Sequence, residues 1–249
     1  MFLETIDAVI VEMERVMQRC LEEKSKLGYF SVLYYNVTLR VRDAIKAGRF
    51  EDPVRMERLD VIFACRYLDA INAYWQGKPT SASWDVAFKA ASSRSPVILQ
   101  RLLLGMNAHI NFDLSIAAAK TSPGASLPAL QRDFQEIMNL LNEMIDAMSD
   151  RIEKVSPIIR ILDKMGGRTD EYLCGFGIKA ARDIAWKAAE RLAVADEQTF
   201  EQQLKIQDKI VAELGKRILR PGIWLSTGLF FISLSESQDV PKVMDTLRM

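Results

Sequence analysis

The chain has 249 residues, 49% of them hydrophobic and 27% charged, and its 33 Lys and Arg balance 33 Asp and Glu. That composition belongs to a folded globular chain and not to a disordered one. Zero formal net charge excludes the basic footprint of a nucleic-acid binder and gives no reason to expect an anionic membrane as partner.

Helical spacing dominates from the start. Phe2, Ile6, Val9, Met13, Val16 and Cys20 recur at three and four residues and mark the inward face of a first helix. Phe30, Tyr34, Val37, Val41 and Ala44 mark a second, stopping near Gly48. Asp52-Pro53 is a start signal, because Asp caps free N–H groups and Pro suits the first helical position. The helix it opens carries Met56, Leu59, Phe63, Ala70 and Tyr74 on one face. The Gly77–Ser81 stretch reads as a loop, and a short helix from about Ser83 holds Trp84 and Phe88 as core residues.

Pro96 opens the most apolar stretch, Val97 to Ala119, which still contains Arg101, Asn107, His109, Asn111 and Asp113. It is too polar for a lipid-facing span and suits a buried central helix. Beyond the break at Thr121–Gly124, the stripe Leu130, Phe134, Ile137, Leu141, Met148, Ile152 predicts a long helix. Gly166-Gly167 is the next break. Ile178, Ala181, Ala185, Ala189 and Leu192 define a further helix, Glu197 to Leu219 another, and Ile223 to Leu234 an apolar last one. After about Ser235 the tail is polar and is expected to be loose. The expectation is an all-α chain: one multi-helix bundle of roughly eight helices, spanning 1–249 as a single domain, around a buried central helix.

Cys20, Cys65 and Cys174 form an odd count without metal or redox spacing, and the N-terminus lacks the basic and apolar regions of a signal peptide. Both point to a reducing, cytoplasmic setting. No Walker A sequence, dinucleotide-binding glycine run, Gly-x-Ser-x-Gly elbow or Cys-x-x-Cys is present. One histidine with scattered carboxylates supplies no metal-ligand spacing, so no metal is assigned and no cofactor is identified.

The candidate chemistry lies where polar residues occupy apolar positions. At helical pitch Leu99, Leu102, Met106, His109, Asp113 and Ala117 fall within an arc of roughly 80°. His109 and Asp113 are thus one turn apart on an apolar face, and Asn107 and Asn111 form a second such pair. Arg182 sits inside the stripe Ile178, Ala185, Trp186, Ala189, and Arg66 lies among Leu59, Ile62 and Phe63, with Asp60 and Tyr67 bordering that face. A buried guanidinium needs a carboxylate or several acceptors, so a polar core network of His109, Asp113, Arg182 and Arg66 is expected.

These same stretches carry a family resemblance. Gly48-Arg49-Phe50 with Leu59-Asp60-Val61 and Phe63-Ala64-Cys65-Arg66-Tyr67-Leu68 is one. Trp84-Asp85-Val86-Ala87-Phe88 is a second, and Gly105-Met106-Asn107-Ala108-His109-Ile110-Asn111 with Asp113-Leu114 is the most specific. Ala181-Arg182-Asp183 with Ala185-Trp186 fits more loosely. Over roughly residues 30 to 195 the chain resembles the uncharacterised family called domain of unknown function 5995. The resemblance implies an all-helical domain and no particular activity.

Function has two readings on these residues. In one, a pocket at His109 binds or transforms a small molecule by hydrolysis or proton transfer, with His109 as acid–base group and Asp113 orienting it. Asn107, Asn111, Asp60 and Tyr67 would line that pocket, and Arg66 or Arg182 would hold an anionic part of the ligand. In the other, the chain is a non-catalytic scaffold for a protein partner and the polar core only fixes packing. A solvent-accessible cavity at His109 favours the first, and a dry filled core favours the second. Neither nucleic acid nor membrane is expected as a partner. The first helix and the aromatic last one (Trp224, Phe230, Phe231) leave monomer and homodimer both open.

Overall fold

The computed structural model describes residues 3–156, 158, 178–221 and 223–248, with the backbone alone at 178–182 and 223–226. Phe2, Gly166-Gly167, Cys174 and the side chains of Arg182 and Trp224 therefore lie outside the described residues. Every regular element among the described residues is helical, and none is a strand. They form α1 (Ile6–Glu22), α2 (Gly28–Lys46), α3 (Pro53–Trp75) and α4 (Ala82–Ser92). The fifth helix, α5, runs without interruption through Ile98–Ala108, His109–Asp113 and Leu114–Thr121. After a 3-10 turn at Gly124–Leu130 come α6 (Gln131–Val155), α7 (Ile178–Ala193), α8 (Glu197–Leu219), α9 (Ile223–Ser235) and α10 (Val240–Leu247). These ten exceed the eight or so expected, partly because the tail after Ser235 adds one.

That tail is not loose. Asp239 accepts the Lys242 N–H as a cap, Pro241 occupies the first turn, and Val243, Met244 and Leu247 are buried. Asn36 of α2 donates to the Leu247 carbonyl, which fastens the helix end. The hydrophobic period inside a short polar tail was enough to dock it.

Local signals account for several helix ends. Thr5, Asp52, Ser81 and Asp196 each accept an N–H from the first turn of the adjoining helix. α2 stops at Gly48, whose φ of +68° lets Arg49 N–H bond the Ala44 carbonyl and Gly48 N–H bond the Ile45 carbonyl. This is a left-handed helix end that residues with a Cβ rarely adopt.

α5 is buried along nearly its whole length, against α2, α4, α7 and α8. Gly105 allows the approach of α2, since a Cβ there would sit 2.4 Å from the Phe30 ring. Polar side chains hold the N-terminal end of α5. Glu236 accepts Ile98 N–H at 2.8 Å and the Ser156 hydroxyl, Gln100 donates to the Ile218 carbonyl at 2.8 Å, and buried Arg101 donates to the Pro96 and Ser93 carbonyls.

Candidate functional site

At His109 the pitch of α5 changes. His109–Asp113 is a π-turn, in which Leu114 N–H reaches back to the His109 carbonyl five residues earlier. Such a turn inserts an extra residue and is often found where side chains must be aimed. His109 and Asp113 still meet: Nδ1 of His109 lies 3.3 Å from Oδ2 of Asp113.

Asp113 is wholly buried and collects donors from three helices. Besides His109, Arg66 Nε of α3 donates to Oδ1 at 2.6 Å and Trp84 Nε1 of α4 donates to Oδ2 at 2.8 Å. Accepting three N–H groups is the pattern of a carboxylate, which has acceptors only. The His109 proton is therefore assigned to Nδ1 from this network, leaving the Nε2 lone pair facing away from Asp113. Nε2 has no partner within hydrogen-bond distance.

Aromatic rings enclose the imidazole. It stacks on Phe63 with centroids 3.5 Å apart, and Tyr34 meets it edge-on at 4.2 Å. Phe30, Tyr67 and Trp84 complete the surround. Burial drives the His109 pKa below its ordinary value, and the bond to Asp113 only partly offsets this. The neutral ring is the resting form near pH 7.

His109 lines a cavity of about 130 Å³ between α6 and the faces of α2, α3 and α5. By this measure one water needs roughly 10–15 Å³, so the space is molecular in size. Val37, Leu102, Ile110, Ile137, Leu141 and Met144 are among the apolar residues around it. The lining contains no Lys, Arg, Ser, Thr or Cys among the described residues; its polar or titratable members are Tyr34, Asp60 and His109. Asp60 is 5% exposed and its Oδ2 is unpartnered, as is the hydroxyl of fully enclosed Tyr34. The nearby Thr38 hydroxyl is directed to the Tyr34 carbonyl at 3.0 Å and to the Met13 sulfur.

Electrostatics separates these groups. Burial, and then the charge of Glu57, push the Asp60 carboxyl up to about 7. Burial, followed by Asp60 and Asp113, holds the Tyr34 phenol well above its ordinary value against a smaller opposing effect of the nearby Thr38 hydroxyl, so it keeps its proton.

α6 forms the outer wall and is tied at its ends. Near its start, buried Asp133 accepts Glu51 N–H at 2.6 Å, Asp52 N–H at 3.3 Å and Arg55 Nη2 at 2.6 Å. Arg49 bridges Glu136 and Glu143 at mid-helix, and Arg151 donates to the Thr246 and Arg248 carbonyls at the far end. Between the ties, Met138, Met144 and Met148 face the cavity. Their unbranched side chains can rearrange around differing contents.

The family model described as Family of unknown function (DUF5995) matches residues 6–221. The chain belongs to that family. No curated protein and no solved structure matches it. The cavity lining, from Phe30 to Ile152, falls wholly within the part that the DUF5995 model matches, whereas α9 and α10 lie beyond it.

The expected site residues divide into groups. His109 and Asp60 reach the cavity; Asp113 and Arg66 stand behind His109. Arg66 is committed to Asp113 and does not line the cavity, so it does not supply the expected anchor for an anion there. Tyr67 shares a 2.6 Å hydrogen bond with Ser31 and contributes only its ring to the surround. Asn107 donates to the Val211 carbonyl and Asn111 to Asn107, a staple of α5 onto α8 away from the cavity. Arg182 lies on α7 with its side chain outside the described residues. Three participants were not singled out as site residues from the sequence. Trp84 had a signal, since a buried indole N–H needs an acceptor, and Tyr34 and Phe63 lay on the inward stripes of their helices.

Among the described residues, no three His, Cys, Asp or Glu gather as a metal site, and no helix is long and apolar enough to cross a membrane. Cys20 and Cys65 are free thiols.

Proposed function

We propose that this DUF5995 protein binds an apolar small molecule beneath α6, with the molecule's polar end against Tyr34, Asp60 and His109. The reading takes the chain as one helical bundle built round α5. One observation carries it: three buried, unpartnered polar atoms belong to residues lining one otherwise apolar cavity. Each such atom costs about 1–3 kcal/mol when left unpaired. Three among the residues around one cavity, on α2, α3 and α5, are hard to account for as packing, and a few polar groups in an apolar concavity are what ligand sites present.

The combination also argues against a purely structural polar core, which calls for filled space around His109. Hydrolysis through an enzyme nucleophile has no support, because no Ser, Thr or Cys among the described residues lines the cavity. Proton transfer is the second reading. Asp113 behind His109 leaves Nε2 free to accept a proton from a bound molecule. The scaffold reading retains one observation, the exposed Phe230, Phe231 and Leu234 of α9.

The test is thermal unfolding with a panel of apolar compounds, on the wild type and on a cavity-filling Leu141→Phe variant. Binding to the native state alone raises Tm with ligand concentration. The expected outcome is a rise for wild type and none for the filled variant. If no apolar compound raises the wild-type Tm up to its solubility limit, the binding reading fails.

A further inference from the structure

The polar residues that line the cavity also select a class of ligand, an inference that rests on the binding reading above. We infer that the ligand is a hydrophobic amine, held as its cation with N–H groups donated to Asp60 Oδ2 and His109 Nε2 and its hydrocarbon part under α6.

Donor–acceptor balance calls for a headgroup rich in hydrogens. His109 Nε2 offers only a lone pair, because the ring proton is spent on Asp113. Asp60 likewise only accepts once its carboxyl is ionised, the state that a cation beside it favours. Both therefore need hydrogens brought by the ligand. An ammonium group brings two or three, an alcohol one and a carboxylate none. Tyr34 can turn its hydroxyl to accept or donate.

Charge points the same way. Asp113 already has Arg66, and Asp133 already has Arg55. Asp60 has no such partner among the described residues, whose part of the lining offers no Lys or Arg. Its neighbour Glu57 adds negative potential. An anionic headgroup would enter a buried site with no positive charge to offset its desolvation. A cation supplies what the wall lacks.

The wall itself suits a cation on a hydrocarbon body. Rings of Phe30, Tyr34 and Phe63 line the same cavity as Asp60. Ring faces attract desolvated ammonium groups. The rest of the lining is aliphatic and methionine-rich, suited to an alkyl or alicyclic body and not to a polyamine. The upward shift of Asp60 agrees with this, since it marks a carboxyl buried without a counter-charge.

The experiment is isothermal titration of the full chain with n-decylamine, n-decanol and n-decanoate, all below their micellar concentrations, repeated on Asp60→Asn. Decylamine is expected to bind at least ten-fold tighter than decanol, with decanoate weakest. In Asp60→Asn the amine should lose that ten-fold advantage while decanol binds as before. If decanol or decanoate equals decylamine on the wild type, or if Asp60→Asn leaves the amine preference intact, the amine inference is overturned and the apolar cavity stands. If none of the three binds the wild type, the cavity reading falls with it. The wild-type selectivity decides the matter even if the variant does not fold.

Discussion

The imidazole of His109 lies flat on the ring of Phe63, with centroids 3.5 Å apart and planes 6° from parallel. One edge is bonded to Asp113, and the nitrogen on the other, Nε2, is buried without a hydrogen-bond partner. Stacking fixes the plane of the ring, and Asp113 fixes its rotation within that plane. The unpartnered nitrogen is therefore held in one direction, which would reduce the ordering cost of the binding proposed above.

The enclosure sets a pH dependence that a single resonance can report, since the chain has one histidine. Burial lowers the folded pKa of His109 below its ordinary 6.5. As pH falls below 6.5 the unfolded chain takes up a proton that the native state refuses, so this residue's contribution to stability declines there and is complete above 6.5. The imidazole Hε1 signal in proton NMR should titrate with a midpoint below 6.5. A midpoint at or above that value would mean that the bond to Asp113 outweighs burial of the ring.

Asp60 works in the opposite direction. Its folded pKa is raised from 3.8 to about 7, so the native state holds a proton that the unfolded chain has already released. Stability attributable to Asp60 is lost as pH rises from 3.8, and the full cost is present above 7. Asp60→Asn removes that titration. The variant should be more stable than wild type at pH 8, with the gain shrinking at pH 5, in urea unfolding followed by circular dichroism. A gain of equal size at both pH values would mean that Asp60 is not buried as a lone acid.

Asp113→Asn tests the support behind His109. The amide retains one acceptor oxygen but presents an NH2 group where one of the three N–H donors arrives. Breaking a buried ion pair costs about 3–5 kcal/mol when both charges are enclosed. The Arg66 side chain is 28% exposed and keeps contact with water, which favours the lower end, about 3 kcal/mol. Equilibrium unfolding checks the magnitude. A loss below about 1 kcal/mol would show that water replaces Asp113 as partner, since exposed pairs contribute no more than that.

How much of the fold and the site was legible in the sequence depends on whether a signal was local. Asp52-Pro53 announced the start of α3, and the apolar periods located α1, α2 and α6, because capping and amphipathic spacing act within one helix. The pairing of His109 with Asp113 was legible as an i, i+4 spacing. The partners of Asp113 were not. Trp84 and Arg66 lie 29 and 47 residues away in sequence, and only packing decides which of several arginines arrives. Asn107 and Asn111 look equivalent to His109 and Asp113 on a helical wheel, yet they face α8. The π-turn at His109–Asp113 has no proline or glycine to announce it, and it rotates the rest of α5 relative to an ideal wheel.

Asp133 ties the start of α6 to the segment ahead of α3. Its carboxylate joins the first turn of α6 to two backbone N–H groups ahead of α3 and to Arg55. Further along, the cavity separates the middle of α6 from α3 and α5. Asp133→Ala leaves two N–H groups and a guanidinium without their acceptor, at about 1–3 kcal/mol for each group that stays buried. The loss should fall on α6 more than on the molecule as a whole, because the α1–α2–α3 packing does not pass through Asp133. Amide hydrogen exchange in residues 131–150 should quicken in the variant while that of α1 and α3 changes little, and a ligand of the cavity should associate and dissociate faster. Uniform acceleration throughout the chain would show instead that α6 and the remainder unfold as one unit, and that ligand exchange does not proceed by opening of this helix.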